Sequence, residues 1–306
     1  MNLHLNPNKL FKTIRLLLFL ATLFAQFACE DVIQVTVKNQ SAKIVVDAFI
    51  NTINQIQTIH ITRSIGYFDS SRTEPPITNA KVAIVDQTTL PGKLFVFTHA
   101  KNGKYQFTPN TLTGDTFTIG HDYALLVVID QDTLLGLSRL NPTTKIDSIR
   151  LVEVEGNGPP INTTGKYVEL IANDRKGKGD FYWIKTFRND SFLNSINQLN
   201  ISPDMGNVSI KEDGQLFIYP VRYTKVNDFS RSYKSRETVR IEIHSVNGLA
   251  FAWFNLIANE NQNGGLFATP PINIFTNIVS YNEKKKIGLA GFFCMSAVAS
   301  ASVVIP

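Results

Sequence analysis

Beyond residue 42 the chain alternates apolar and polar positions in short bursts, and that period of two predicts strands rather than helices. Residues 43–50 (KIVVDAFI), 56–63 (IQTIHITR), 81–86 (KVAIVD) and 94–98 (LFVFT) are brief, rich in β-branched and aromatic side chains, and bounded by Asn, Gly or Pro. Asn102-Gly103 then separates 94–98 from a strand at 105–108. Asn-Gly is the strongest two-residue hairpin signal, because both central positions of a type I′ turn need positive φ. Residues 123–130 (YALLVVID) and 133–137 follow across a second tight turn at Gln131-Asp132. Short strands with turns about every 8 to 12 residues predict an antiparallel sandwich, which Asn141-Pro142 closes.

The second half reads as less regular β-structure. Strands are expected at 146–155, 167–173, 181–188, 215–219 and 238–245, while 189–213, rich in Asn and Ser and holding Pro203 and Gly206, predicts a long, partly ordered excursion. One helix is expected near 248–261. Leu249, Ala252, Trp253, Leu256 and Ile257 recur at helical spacing, Asn247 is placed to cap the first free amides, and Gly264-Gly265 supplies a stop. The aromatic residues Phe251, Trp253 and Phe254 on it read as packing. Pro270-Pro271 breaks the chain before a strand at 273–278, and 286–299 reads as a final buried strand. The expected division is residues 1–28, a tether at 29–42, an N-terminal β-sandwich at 43–140, and a second β-rich domain carrying the helix at 141–306.

Residues 1–28 break the pattern. Lys9, Lys12 and Arg15 precede an apolar run from Leu16 to Ala28, 13 residues long and interrupted by Gln26. A membrane-spanning helix needs roughly 20 apolar residues, so the run reads as a removable export signal. Cys29 stands where bacterial lipoprotein processing cuts and attaches acyl chains. Ala28 suits that processing, whereas Gln26 and Phe27 depart from the usual aliphatic and small residues; an ordinary signal cut near Ala28 is the alternative. Acyl chains contribute about 0.8 kcal/mol per buried CH₂, and more than one is needed for a stable hold on a bilayer.

Removing the signal changes the charge picture. The remaining 278 residues carry 27 basic and 25 acidic side chains, a net of +2, so the overall pI near 9.1 owes much to the signal. That excess is too small to argue for nucleic acid. Local basic clusters at Arg175, Lys176 and Lys178, at Arg231, Lys234 and Arg236, and at Lys284 to Lys286 sit in polar, turn-like contexts and read as solvated loops. Cys294, the only cysteine after Cys29, lies in an apolar run and reads as a buried, inert thiol.

A resemblance emerges from the order of these motifs. Cys29 followed by Glu30-Asp31, the run Ile44-Val45-Val46-Asp47-Ala48-Phe49-Ile50-Asn51, Ile61-Thr62-Arg63-Ser64 with Tyr67-Phe68, and residues 77–86 (ITNAKVAIVD) resemble the opening of a large uncharacterised lipoprotein family of Bacteroidota. It is one of the domain-of-unknown-function families, whose members are commonly encoded near TonB-dependent outer-membrane receptors. The helix ending in Gly-Gly, Pro270-Pro271, Asn277-Ile278 and residues 288–293 (GLAGFF) fit its C-terminal pattern. Asn79 stands where a Gly is usual and tolerates left-handed geometry. Residues 80–86, Asn102-Gly103-Lys104-Tyr105 and 122–127 also resemble an immunoglobulin- or prealbumin-like sandwich of the carboxypeptidase-regulatory type. In those folds the Gly-x-Tyr turn and the later Tyr strand pack one sheet over the other, and such modules usually act as spacers or binders.

The search for catalytic motifs is negative. The chain has no Gly-x-Ser-x-Gly elbow, His-Glu-x-x-His helix, phosphate-binding Gly-x-x-x-x-Gly-Lys-Ser/Thr loop or paired Cys-x-x-Cys. His60, His99, His121 and His244 are scattered singly, and no metal or other cofactor is expected. Asp130-Gln131-Asp132 and Asn173-Asp174 are acidic turns without the spacing of a calcium loop. Glu30 and Asp31 resemble the signal that sends lipoproteins of this phylum to the cell surface. The resemblance therefore implies a non-enzymatic outer-membrane lipoprotein, anchored to the lipid bilayer by acyl chains on Cys29 and working beside a TonB-dependent receptor. A structural or adhesive surface protein is the alternative, and a hydrolase the least favoured. Recognition is expected in loops 189–213 and 66–77.

Overall fold

The alternation at the start of the pattern becomes a strand with two unlike faces. In β1 (Ile44–Asn51), Ile44, Val46, Ala48 and Ile50 turn inward, at most 4% exposed, while Val45, Asp47 and Phe49 turn outward. β1 pairs antiparallel with β2 (Gln57–Arg63), and the pairing continues through β5 (Lys104–Phe107), β4 (Lys93–Lys101), β3 (Lys81–Asp86), β6 (Asp122–Ile129) and β7 (Asp132–Arg139). Asn102 and Gly103, at φ 50° and 72°, make the hairpin turn between β4 and β5 as their type requires. The turn between β6 and β7 is Asp130-Gln131, one residue earlier than expected, with Asp130 at φ 53°.

The computed structural model describes residues 11, 12, 15, 41–66, 69, 73–155, 164–205, 213–264, 269, 270, 272–282 and 287–306. Two units are distinguished, Met1–Gln40 and Ser41–Pro306. In the first, Phe11, Lys12 and Arg15 are helical. Cys29, Glu30 and Asp31 lie outside the described residues. Among the described residues no helix is long and apolar enough to cross a membrane.

The boundary expected at residue 141 is corrected. The sheet begun by β1–β7 is completed from the far end of the chain: β14 (Ile278–Ser280) pairs antiparallel with β7, and β15 (Leu289–Ser296) pairs parallel with β1 over its whole length. The nine-stranded order is β14-β7-β6-β3-β4-β5-β2-β1-β15, and β15 also packs against β7 and β14, so the sandwich nearly closes into a barrel. Side chains stitch the seam. Asn277 donates to the Phe293 carbonyl at 2.7 Å and accepts from the Phe293 amide at 2.9 Å, while the Ser138 hydroxyl accepts from the Met295 amide at 2.9 Å. Residues 43–140 therefore hold only part of their own core, since Ile278, Phe293 and Met295 fill it. The expected all-antiparallel pairing is corrected with it.

Two buried tyrosines tie loops to the first sheet. The buried Tyr105 hydroxyl donates to the Ile77 carbonyl at 2.9 Å and accepts from the Ala80 amide at 2.9 Å. Tyr123 closes a tighter loop by accepting from the Thr118 amide at 2.6 Å. Asn79 is not left-handed; its amide donates to Asp130 at 2.9 Å.

A second sheet stands against the first. β10 (Phe181–Arg188), β13 (Thr238–Val246) and β16 (Val298–Val304) pair antiparallel, and the other edge of β10 carries β11 (Ser191–Phe192) and β12 (Asn200–Ser202). Within the expected excursion, residues 189–205 thus form more structure than expected, including a 3₁₀ turn at Ile196–Gln198. One face of this sheet, with Tyr182, Ile184, Val239, Ile241 and Ile243, packs under the hairpin of β8 (Ser148–Val154) and β9 (Gly165–Ile171). Buried Asn227 ties that layer down, its side chain bonding both the amide and the carbonyl of Val168.

Other expectations shift for local reasons. The expected strand at 215–219 keeps one ladder contact, Asn173 with Leu216, before Pro220–Thr224 turns the chain as a π-helix; Phe217 alone is buried there. The strand expected at 273–278 is displaced to β14, sharing only Ile278 with it. The single final strand divides at Ala297 into β15 and β16, which serve different sheets. Helix α1 (Gly248–Gln262) appears in place, and Asn247 caps it by accepting from the Ala250 amide at 2.8 Å. Its buried face is rotated: Ala250 and Phe254 are buried, with Phe251 and Trp253 packed beside them, whereas Leu249 and Ala252 face out.

Candidate functional site: an aromatic cavity between the sheets

The outward face of β1 does not meet open solvent. It looks across to β10, with α1 on one side and the 192–199 excursion on the other, and the space between is a cavity of about 550 Å³. Seven aromatic rings stand in its wall. Phe49 lies 5.6 Å from Trp183, 5.7 Å from Trp253 and 5.5 Å from Phe254, measured between centroids. Phe292 of β15 stands 5.3 Å from Trp253 and 6.2 Å from Phe275, and Phe192 is 6.4 Å from Trp183. These pairs are tilted or edge-on, the arrangements that ring quadrupoles favour.

Glycine shapes the floor. Gly291 lies opposite Val46 at φ 91°, and a Cβ there would sit 2.1 Å from the Val46 carbonyl oxygen. Only glycine lets β15 lie this close to β1 at that point.

Two charges mark the cavity. The Asp47 carboxylate lines it between Val45 and Phe49, reached by solvent on the cavity side. Surrounding protein raises its pKa, and the charges of His60 and Lys185 oppose that rise. Among the described residues the Asp47 carboxylate makes no hydrogen bond and no ion pair within 4 Å. Lys185 of β10 lays its ammonium over the Trp183 ring at 3.8 Å from the centroid. Burial lowers its pKa to about 8, against the attraction of Asp47 and Cys294. At the rim the Ser195 hydroxyl donates to Gln198 at 3.0 Å, beside Asn194. A largely apolar, preformed concavity with a few polar groups and perturbed titrating residues has the character of a ligand site.

Residues 30–302 match the model of the family described as a domain of unknown function, DUF4249. The chain belongs to that family. No curated protein matches it.

In this DUF4249 chain the remaining polar candidates are placed elsewhere. His244 Nε2 lies 2.9 Å from Glu242 and its Nδ1 3.3 Å from the Ser296 hydroxyl. The order serine, histidine, carboxylate is that of a hydrolase triad, but Ser296, His244 and Glu242 are 6%, 2% and 4% exposed and do not line the cavity. Burial drives His244 well below its ordinary pKa, assisted by Lys185 and Arg240. The neutral ring donates to Glu242, which also pairs with Arg240. This network joins β13 to β15 in the interior.

Cys294 is buried as expected, its thiol pushed up to about 12 by desolvation. Asp174 is raised by burial and by Asp204 and Asp180, the last paired with Arg175 at 2.9 Å. Among the described residues no three His, Cys, Asp or Glu side chains are arranged to hold a metal ion. Of the two recognition loops expected, 189–213 supplies the cavity's Phe192-to-Leu199 wall; part of 66–77 lies outside the described residues.

Trp253 and Phe254, expected to serve as packing, line the cavity as well as pack; its residues on β1, β10 and β15 are not singled out by the sequence, although a signal existed. Residues 181–184 (FYWI) carry aromatic or apolar side chains on both faces, which marks a strand covered on both sides. Asp47 between Val45 and Phe49 is the irregularity on β1.

Proposed function

We propose that this DUF4249 protein is a non-enzymatic binding subunit. It is held at the outer membrane, facing the cell surface, by acyl chains on Cys29, and works with a TonB-dependent receptor in nutrient capture or in assembly of a surface complex. The observation that carries the binding role is the aromatic cavity. Building it brings seven rings, from β1, β10, β11, β15, α1 and the segment before β14, around one space, although a core needs no such void. The export pattern at residues 1–31 and the setting of the resembled family support the anchor and the partner.

An assembly role has its own support. Val279, Leu135, Leu126, Ala83 and Val96 form one cross-strand row on the outside of the barrel, flanked by Leu137 and Leu94. Val279, Leu137, Leu94 and Val96 are each more than half exposed, and contiguous apolar surface of this kind marks association.

Trp183 and Trp253 are the only tryptophans of the chain and both line the cavity. Titrating the purified full chain with 4-phenylbutanol should therefore give a saturable change in tryptophan emission. A flat titration counts against the binding role. Mass spectrometry of the N-terminal peptide tests the anchor, and an unmodified Cys29 removes it.

A further inference from the structure

We infer that the cavity takes an organic ammonium: a ligand with an aromatic or aliphatic body and a basic nitrogen that Asp47 receives. This rests on the reading of the cavity as a ligand site and adds the ligand's chemical class.

The first argument is the sign of the charge that meets a ligand. Asp47 lines the cavity and, among the described residues, its carboxylate has no hydrogen bond or close ion pair. Lys185 neighbours it without lining the cavity. A carboxylate that lines an apolar cavity and meets solvent there, with no protein donor on it among the described residues, favours a ligand that brings a donor and a positive charge.

The second argument is the wall. Aromatic faces are negative, and a wall built of rings holds a cation wherever a face is presented. The fold already uses this property at the edge of the cavity. The Lys185 ammonium rests 3.8 Å from the Trp183 centroid and 5.9 Å from that of Phe192. An ammonium is thus accommodated at the edge of the aromatic wall, and the open carboxylate provides for a second.

Lys185 also sets a limit. Its positive charge offsets part of the Asp47 field, so removing it should strengthen binding of a cation. A merely apolar pocket makes no such demand.

The test uses three probes of one shape: 4-phenylbutylamine, 4-phenylbutanol and 4-phenylbutyrate, titrated near neutral pH against the full chain by tryptophan emission and calorimetry. The amine should bind about tenfold more tightly than the alcohol, a difference of about 1.4 kcal/mol, and the acid most weakly. Asp47→Asn should bring the amine to the level of the alcohol, leave alcohol affinity within about twofold, and keep the circular dichroism of the parent. Asp47→Ser serves in its place if that variant misfolds. Lys185→Met should tighten the amine severalfold. Acid binding equal to or tighter than amine binding, or an amine preference that survives loss of Asp47, overturns the ammonium assignment while leaving the cavity a ligand site. Failure of all three probes on folded protein overturns the underlying binding reading instead.

Discussion

The Lys185 ammonium stands 3.8 Å from the centre of the Trp183 ring, two residues away on the same face of β10. The strand places both side chains between the sheets, where burial lowers the lysine pKa from 10.5 to about 8. Below about pH 8 the ammonium is charged in both folded and unfolded chains. Between about 8 and 10.5 the unfolded chain binds the extra proton, so this group makes stability rise with pH through that window. Urea midpoints at about pH 7.5 and 9.5 should show a larger rise in the wild type than in Lys185→Met. Trp183 emission should also titrate with a midpoint near 8 that the variant lacks.

Tyr105→Phe should destabilise the protein by about 2 kcal/mol, because it leaves the Ile77 carbonyl and the Ala80 amide without their common partner. Equilibrium urea unfolding measures the loss. A change within about 0.5 kcal/mol would show that other groups replace the hydroxyl.

Asn247→Ala should cost about 1 kcal/mol by removing the acceptor of the Ala250 amide, while Asn247→Asp should keep most of it. Thermal melts of the three proteins give the order wild type, Asp, Ala. Equal melting of the Ala and Asp variants would assign the effect to the weaker contact from Asn247 to Ser138 instead.

A fragment of residues 41–140 should fail to fold alone. β1 would lose the partner it pairs with from Ile44 to Asn51, and Phe293 and Met295 would leave a gap in the core. Far-UV circular dichroism and amide NMR dispersion would test this. A well-dispersed spectrum would restore the boundary at residue 141.

Much of the first sheet was legible because its causes are local. Residues 81–86 and 181–188 were placed to the residue by alternation between turn signals, and Asn102-Gly103 specified its hairpin by φ alone. The helix was also readable from its cap and apolar spacing, but not its buried face. Which side of α1 turns inward depends on Phe49, Trp183 and Phe292, none of which is near it in sequence. Residues 215–219 misled for a related reason. Phe217 is buried between exposed Leu216 and Ile218, so they alternate like a strand, yet they have one bridge and no ladder to join.

The candidate site was hidden for the same reason. Asp47, Lys185 and Gly291 meet from strands more than a hundred residues apart. Asp47 looked like a solvent-facing residue because alternation shows that a side chain points away from one core and says nothing of a second layer beyond it.

Strand content, the tight turns and the capped helix follow from the sequence by itself, since backbone preference and the spacing of apolar side chains act over a few residues. That β15 inserts beside β1, that residues 41–306 close as one unit, and that an aromatic cavity with one open carboxylate lies between the sheets were decided only by the tertiary structure. Those features depend on burying faces that separate parts of the chain contribute, and the choice of partner for each face is a property of the whole fold.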